Sequence, residues 1–300
     1  MKHCLRFLLL GLLLLSQAGQ ARLRVFSCEP EWVALARMLG ADRFQVFSAT
    51  NAQQDVHYIQ ARPGLIARLR RADLLVCTGA GLEVGWLPVL LRRAANPRVR
   101  PGTLGYFEAA SAITLLEKPQ RLDRAEGDIH PEGNPHIQLD PHNILAVARA
   151  LGQRLQRLDS THAQDYRQAL AAFEQRWQRA MADWEKRAAA LRGLPIVVHH
   201  DGWIYLERWL GLKQIGSLEP KPGVPPTSAH LSRLLTQLKT TPAAVIIRAP
   251  FQDPRPAQWL HRKTGIPVRV LPFTVGGNPD ARDLFGLFDS TLAQLEAVAR

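Results

Sequence analysis

The sequence has few cysteines, a single long apolar run and no basic tail, and each shortage removes a class of protein. There are three cysteines, and none has the paired spacing of a zinc–thiolate site. Beyond the N terminus, no segment reaches the roughly 20 apolar residues of a membrane-spanning helix. The formal net charge is +12, but no aromatic–basic motif accompanies it, so we predict no nucleic-acid partner.

The apolar run lies at the N terminus and is typical of an export signal. Lys2 and Arg6 form a basic start, residues 8–15 are apolar, and small residues follow. Cleavage after Ala18 and cleavage after Ala21 fit this pattern equally well. We therefore expect residues 1 to 21 to be a signal peptide and the mature protein to be periplasmic. An uncleaved membrane anchor is the alternative.

The mature chain keeps two cysteines and a strong basic excess. Cys28 and Cys77 either form a disulfide in an oxidising compartment or stay buried as free thiols. The net charge without the signal is about +10, and many arginines sit singly on helical faces, as at Arg149 and Arg157. We interpret them as a solvated basic surface, with an anionic membrane as a candidate partner.

Short β-like runs alternate with helical patterns, which predicts an α/β fold with parallel strands. The predicted strands are 23–27, 44–48, 74–78, 195–199, 213–218, 244–248 and 268–272. The predicted helices are 31–39, 205–210, 228–239, 256–264 and 283–299, with two more that open at Arg62-Pro63-Gly64 and at Asn143.

A long stretch without proline or glycine, residues 161–191, predicts one helix of about 30 residues and about 45 Å. Its large apolar residues recur at three- and four-residue steps and predict a packing face: Phe173, Trp177, Met181 and Trp184. The predicted architecture is two doubly wound α/β lobes joined by this long rigid helix. The predicted boundaries are 22–155 for the N-terminal lobe, 156–192 for the linking helix and 193–300 for the C-terminal lobe.

Three spaced histidines are the candidate metal ligands. They are His57, His136 and His200, separated by 79 and 64 residues. Imidazole nitrogen suits zinc, and three imidazoles leave one position of a four-coordinate ion open. Only a folded, two-lobed chain brings such distant residues together. His199 precedes His200 on a predicted strand, so we expect only one of the two to face the site.

The motifs around these histidines resemble the metal-specific solute-binding proteins of ABC importers, most closely the zinc branch. The resemblance covers nearly the whole mature chain and implies two α/β lobes bridged by a rigid helix that limits their closure. The motifs, in order, are Asp55-Val56-His57 with Arg62-Pro63; Gly79-Ala80-Gly81-Leu82-Glu83 with Trp86-Leu87; Gly133-Asn134-Pro135-His136 with Leu139-Asp140-Pro141; His200-Asp201 before Tyr205; Glu219-Pro220-Lys221-Pro222-Gly223; and Leu271-Pro272-Phe273-Thr274-Val275-Gly276-Gly277.

The resemblance implies that His57 and His136 ligate the metal from the first lobe and His200 from the second. The fourth ligand is open, because residues 272–277 lack the carboxylate that many relatives place there. Water is the first choice, and Asp280 or Asp283 are the alternatives. Asp140 and Asp201, which lie near the ligands in sequence, are hypothesised to orient the imidazoles.

The family often carries a histidine-rich loop before its second ligand, whereas this chain offers only His130. An ordinary solvated loop is favoured there over a role in collecting or handing over metal.

The resemblance implies a periplasmic zinc-binding protein that delivers Zn²⁺ to an ABC permease. We expect a monomer, with a periplasmic metallochaperone as a further candidate partner. Manganese or iron binding and adhesion are alternatives within the family. A zinc hydrolase is the alternative from another class, and it is disfavoured because the sequence has no His-Glu-x-x-His helix and no carboxylate placed as a general base. The protein is therefore not expected to be an enzyme.

Overall fold

The computed structural model describes residues 22–121 and 127–299. The predicted signal peptide and its cleavage sites lie outside these residues. None of the helices in the described ranges is long and apolar enough to cross a bilayer.

The first half of the chain forms four strands and four helices, followed by the longest helix. The strands are β1 (Leu23–Ser27), β2 (Phe44–Ser48), β3 (Leu74–Cys77) and β4 (Tyr106–Glu108). The helices are α1 (Pro30–Gly40), α2 (Pro63–Arg71), α3 (Leu87–Ala94), α4 (Pro141–Leu158) and the long α5 (Ala163–Ala188).

The second half repeats the alternation. Its strands are β5 (Pro195–Val198), β6 (Lys213–Ser217), β7 (Val245–Arg248) and β8 (Val268–Val270). Its helices are α6 (Ile204–Leu210), α7 (Ser228–Thr240), α8 (Pro254–Thr264) and α9 (Leu284–Ala299).

Each half contains one four-stranded parallel sheet, in the orders β2-β1-β3-β4 and β6-β5-β7-β8. In both sheets the second strand of the lobe pairs with one side of the first strand. The chain then crosses over, and the third and fourth strands lie on the other side. Such a crossing leaves a crevice at the carboxyl ends of the strands, where α/β proteins bind ligands. The predicted fold class, two parallel α/β lobes with a long helix, is confirmed.

Prolines and short polar side chains set several helix starts. Pro141 occupies the first turn of α4, and the carboxylate of Asp140 accepts a hydrogen bond from the His142 amide. Asp253 caps α8 in the same way through the Arg255 amide. These caps fix where a loop ends and its helix begins, so they fix the positions of the loop residues just before each helix.

The long helix α5 carries the predicted packing face on one side. Phe173, Trp177, Met181 and Trp184 are buried, and they meet α9 through Phe285 and Phe288. Single turns of 3-10 helix extend α5 at both ends, over Ser160–His162 and Ala189–Leu191. The prediction of one helix through residues 161–191 is confirmed in type and extent.

One hydrophobic core runs through both halves of the protein. It joins Val25 and Val76 of the first sheet to Ile196 and Ile247 of the second through the face of α5. We call it the shared core. Because a closely packed core resists relative movement of its parts, the two lobes are held as one body.

The opposite face of each sheet has its own smaller core. In the first lobe Phe26 and Leu75 pack under α2 and α3, and in the second Val197 and Ile246 pack under α7 and α8. We call α2, α3, α7 and α8 the outer helices, because they cover the sheet faces turned away from the shared core.

Two elements of the fold were not predicted from the sequence. Helix α3 begins at Leu87-Pro88 and has only eight residues, and β4 has only three. Both are shorter than the windows over which helical or strand periodicity becomes visible.

Cys28 and Cys77 are joined by a disulfide, which settles the alternative left open by the sequence. The bond links the residue after β1 to the last residue of β3, and both cysteines are fully buried.

Candidate metal centre

A cavity of about 460 Å³ lies between the lobes, at the carboxyl ends of the strands. Its walls come from loops that follow strands of both sheets, including the residues after β1, β2, β5, β6 and β7. His57, His136 and His200 all line it. The structure therefore brings the three predicted ligands to one cavity.

His57 lies in a 3-10 turn, Val56–Tyr58, in the long loop after β2. Asp55 caps this turn, and its Oδ1 accepts hydrogen bonds from the His57 amide at 3.0 Å and from the ring Nδ1 at 2.7 Å. A carboxylate at Nδ1 fixes the tautomer that carries its proton on Nδ1, so Nε2 keeps a lone pair that can coordinate a metal. Asp55 therefore prepares the outer nitrogen of His57 for a metal.

His136 is held at the start of another 3-10 turn, Ile137–Leu139, after Pro135. Its amide donates to Asn134 Oδ1 at 3.1 Å, and Asn134 Nδ2 in turn donates to the Asp201 carbonyl of the second lobe at 2.9 Å. The ring packs edge-on against Phe273, with centroids 5.1 Å apart. A Cβ at Gly202 would lie 2.9 Å from His136 Cδ2, so the glycine is needed for this close approach.

The Nε2 atom of His136 is buried and has no hydrogen-bond partner. Buried polar atoms are nearly always paired, because an unpaired one loses its bonds to water without replacement. Burial, followed by the charges of the neighbouring histidines, also lowers the pKa of His136 well below its usual value. The ring therefore stays neutral and presents an unused nitrogen lone pair to the cavity.

His200 follows β5, and a carboxylate holds it as Asp55 holds His57. Its Nδ1 lies 2.8 Å from Glu219 Oε2, and the Gly223 amide donates to the same oxygen at 2.9 Å. Burial acts against protonation here, but the hydrogen bond and charge of Glu219 prevail and raise the pKa of His200. Glu219 thus orients His200 and strengthens it as a base.

The hypothesis that Asp140 and Asp201 orient the imidazoles is wrong. Asp140 accepts from the amide and ring of His142 at the start of α4, and Asp201 Oδ1 accepts from Gln214 Nε2. Asp55 and Glu219 occupy those roles. Proximity in sequence did not identify the carboxylate that holds His200, because Glu219 follows β6, the strand next to β5 in the sheet.

His199 also lines the cavity, which the strand alternation did not predict. Strand β5 ends at Val198, so both histidines lie in a bend where alternate residues need not face opposite ways. His199 is buried, its Nε2 lies 3.9 Å from Glu219 Oε1, and its Nδ1 has no hydrogen-bond partner. Only His200 lies within ring contact of the other candidate ligands.

The three predicted ligands form a compact triangle of rings. The centroids of His57 and His136 are 5.5 Å apart, those of His136 and His200 are 5.6 Å apart, and those of His57 and His200 are 6.0 Å apart. All three pairs meet edge to face rather than stacked.

A fourth histidine, His130, joins this group. Its Nε2 lies 3.3 Å from His57 Nε2, and its ring centroid is 5.3 Å from that of His57 and 6.4 Å from that of His136. Burial, followed by the charges of His57 and His200, lowers the pKa of His130 to about 4. The expectation of an ordinary solvated loop at this position is wrong. The signal available in the sequence was its place just before the second predicted ligand.

The segment that carries His130 is attached to both lobes. Tyr58 donates to Asp128 Oδ2 at 2.7 Å, and the Asp128 amide donates to the Pro222 carbonyl at 2.9 Å. Residues 127–130 are thereby tied to a loop of each lobe, and Asp128 lines the cavity.

Asp280 and Asp283 are not brought to the histidines. Both are exposed, and neither lines the cavity. Asp283 Oδ1 accepts a hydrogen bond from the Gly286 amide in the first turn of α9. The backbone turn over 278–281, held by Asn278 Oδ1, leads away from the histidine group, so neither carboxylate is placed as a ligand.

Comparison with known proteins gives a consistent family assignment. The family model described as ZnuA, zinc-uptake complex component A, periplasmic, matches residues 25–298. The high-affinity zinc uptake system protein ZnuA of Yersinia pestis is 26% identical over 215 residues, 65% of each chain. The manganese ABC transporter substrate-binding lipoprotein PsaA of Streptococcus pneumoniae is 22% identical over 267 residues, 86% of this chain and 82% of that protein.

Solved structures agree in fold. A crystal structure of ZnuA superposes with a TM-score of 0.73 at 23% identity, over 93% of this chain and 97% of that one. A manganese-bound periplasmic metal-binding protein of Candidatus Liberibacter asiaticus gives a TM-score of 0.74 at 16% identity, over 92% and 100% of the two chains. The manganese relative is named as a substrate-binding lipoprotein of an ABC transporter and the zinc relative as a protein of an uptake system, and neither name is that of an enzyme.

Proposed function

The chain belongs to the ZnuA family of periplasmic, metal-binding components of ABC transporters, and from this premise we propose that its cargo is zinc, held by His57, His136, His200 and His130. The single observation that carries the proposal is the buried, unpartnered Nε2 of His136, on a ring whose centroid lies 5.5 Å from that of His57 and 5.6 Å from that of His200. A divalent ion would satisfy that atom.

The donor set favours zinc over manganese. Imidazole nitrogen suits zinc, whereas manganese prefers carboxylate and other oxygen ligands. Two carboxylates contact these rings, and both do so at Nδ1: Asp55 at His57 and Glu219 at His200. They orient nitrogen ligands and leave an all-imidazole set for the ion.

His130 replaces water as the proposed fourth ligand. In a tetrahedral zinc site with Zn–N bonds of about 2.05 Å, two ligand nitrogens lie about 3.3 Å apart. The Nε2 atoms of His57 and His130 have this separation, 3.3 Å. Asp55 holds the His57 proton on Nδ1, so the lone pair on His57 Nε2 faces the His130 ring and is available to an ion between the two rings.

The transport role follows from the family. Substrate-binding proteins of ABC transporters work with a permease and ATPase in the membrane, so zinc held at this cleft would be delivered to such a permease. Relatives include proteins named for zinc and for manganese, so the choice of metal rests on the donor set of this chain.

Titration of chelator-stripped protein with zinc tests the proposal. We expect one ion per chain, and His136→Ala should weaken binding at least about 100-fold, more than the loss of an orienting partner. His261→Ala is the matched control, because this exposed histidine is held by the Ile266 carbonyl and does not line the cavity. Unchanged zinc affinity in His136→Ala would exclude the site.

X-ray absorption on the zinc form tests the fourth ligand. The wild type should show four nitrogen neighbours near 2.0 Å. His130→Ala should keep one-to-one binding but show three nitrogens and one oxygen. Four nitrogen neighbours in both proteins would remove His130 from the site and leave the triad intact.

A further inference from the structure

The net charge of the protein is concentrated in two short stretches of the chain. Residues 62–100 contain eight arginines and two acidic residues, and residues 228–269 contain seven lysines and arginines and one acidic residue. The other described residues carry 19 basic and 21 acidic groups. The two stretches therefore carry more positive charge than the whole described chain, and everything else is slightly negative.

These two stretches correspond to the same part of each lobe, the outer helices with their flanking turns. The cations of the first stretch are all exposed: Arg62, Arg68, Arg70, Arg71, Arg92, Arg93, Arg98 and Arg100. Those exposed in the second stretch are Arg233, Lys239, Arg255, Arg262 and Lys263. In each lobe an excess of cations thus lies on or beside the outer helices.

The few acidic groups in these stretches do not neutralise them. Asp73 pairs with Arg24 and Arg98 and is largely covered, and Glu83 is buried. In the second lobe Asp253 pairs with Arg255. A large excess of cations is left facing solvent.

Helix dipoles explain only part of the pattern. Cations in the last turn of a helix interact favourably with its carbonyl end, which accounts for Arg71, Arg93 and Lys263. Arg62, Arg100 and Arg233 lie outside any last turn, so the dipoles do not require them.

The basic outer layers border the metal cavity. The loops that lead into the outer helices also line it: Tyr58 before α2, Leu82 before α3, Pro226 before α7 and Gln252 before α8. A surface that attracts the outer helices would therefore bring the cavity rim close to itself.

We propose that the outer helices of both lobes bind the anionic surface of a phospholipid bilayer and so keep the cavity near the membrane. Arginines spread over two helix pairs suit a broad surface of phosphate groups, to which guanidinium groups bind as bidentate donors. Attraction of this kind grows with each added cation and acts within a Debye length, about 10 Å at 0.1 M salt. The transport partner lies in that same bilayer, so surface binding would shorten the search for it.

Co-sedimentation with vesicles tests the proposal, using protein purified from the periplasm. The vesicles contain either phosphatidylcholine alone or phosphatidylcholine with roughly 30% phosphatidylglycerol, an anionic fraction similar to that of natural membranes. The front variant changes Arg92, Arg93, Arg262 and Lys263 to Gln. The back variant makes the same charge change at Arg157, Arg167, Arg179 and Lys186, which are exposed on α4 and α5.

We expect binding to the anionic vesicles only, weakened by salt. The front variant should bind at least about tenfold more weakly, and the back variant less than about twofold more weakly. Zinc stoichiometry serves as the folding control for both variants, and its result is independent of the vesicle result. Equal losses of vesicle binding in the two variants would mean that net charge alone causes the attraction, and this would overturn the assignment to the outer helices. No binding of the wild type to anionic vesicles, or front-dependent binding to a solubilised permease without lipid, would overturn the proposal.

Discussion

Glu219 Oε2 lies 2.8 Å from Nδ1 of His200, and the same oxygen accepts the Gly223 amide at 2.9 Å. The amide fixes the carboxylate, and the carboxylate fixes the ring. Replacing Glu219 by Gln keeps an acceptor for the ring nitrogen but removes the negative charge behind it.

We expect Glu219→Gln to weaken zinc binding about 10–100-fold, the usual cost of losing a partner that orients a metal-bound histidine. Competition titration against a chromophoric chelator would measure it. Glu174→Gln, at a half-buried residue of α5 that pairs with Arg149, makes the same charge change away from the cavity and should leave the affinity unaltered. Equal affinities for wild type and Glu219→Gln would mean that the carboxylate does not act on His200.

Zinc affinity should fall on acidification, beginning above pH 6.5. A metal-bound imidazole must be deprotonated, and Glu219 raises the pKa of His200 above its usual value of 6.5. Below that raised pKa a proton competes with zinc, and affinity should fall about tenfold per pH unit. Isothermal titration from pH 8 to pH 5.5 would show it. In Glu219→Gln the fall should begin at a lower pH, and an onset identical to that of the wild type would count against this explanation.

The parts of the site that the sequence predicted are those with local motifs. His57, His136 and His200 each lie in a loop at the end of a strand or beside a proline, and the alternation of strands and helices predicts that such loops converge. Their convergence was therefore predictable from the alternation and the motifs together.

What the sequence could not provide are contacts set by tertiary structure. Glu219 reaches His200 from a neighbouring strand, and His130 reaches His57 because Asp128 is bonded to Tyr58 and to Pro222. Asp280 and Asp283 were candidates because they closely follow residues 272–277 in sequence, but the turn before α9 directs both side chains to solvent. Each of these outcomes depends on packing between segments far apart in sequence.

The disulfide should contribute substantially to stability. It closes a separation of 49 residues, and restriction of the unfolded chain by a loop of that size predicts about 4 kcal/mol. We expect the free energy of unfolding in urea to fall by that amount when a dithiol reductant is present. The Cys28→Ser, Cys77→Ser double variant should show no further response to the reductant. A wild type indifferent to reduction would indicate that the unfolded state is already constrained.

Glu29 belongs to a buried acidic group with Glu31 and Glu83, and Glu29 and Glu31 line the cavity. Its Oε2 accepts from the amide and hydroxyl of Thr78, whereas its Oε1 has no hydrogen-bond partner. Burial, followed by the charges of Glu83 and Glu31, raises its pKa well above 4.5. A proton shared with Glu83 is the arrangement these facts favour.

Glu29→Gln should therefore flatten the dependence of stability on pH. A carboxyl whose pKa is raised by folding contributes fully below its unfolded pKa, near 4.5, and loses that contribution as pH rises through its folded pKa. The glutamine carries a permanent donor, so we expect the variant to match the wild type near pH 5 and exceed it by at least about 1 kcal/mol at pH 8, the value of one pKa unit. Urea unfolding of the metal-free proteins at both values would measure this. A variant less stable than the wild type at pH 8 would contradict it.

The shared core has a consequence for how the loaded protein is distinguished from the empty one. Since a single packed interior spans both halves, we do not expect metal binding to swing one lobe widely against the other. Any difference that a membrane partner reads would then be local, in the segment 127–130 and the rim loops it touches. Because this segment also carries the proposed ligand His130, a change there would alter capture of the ion together with its delivery.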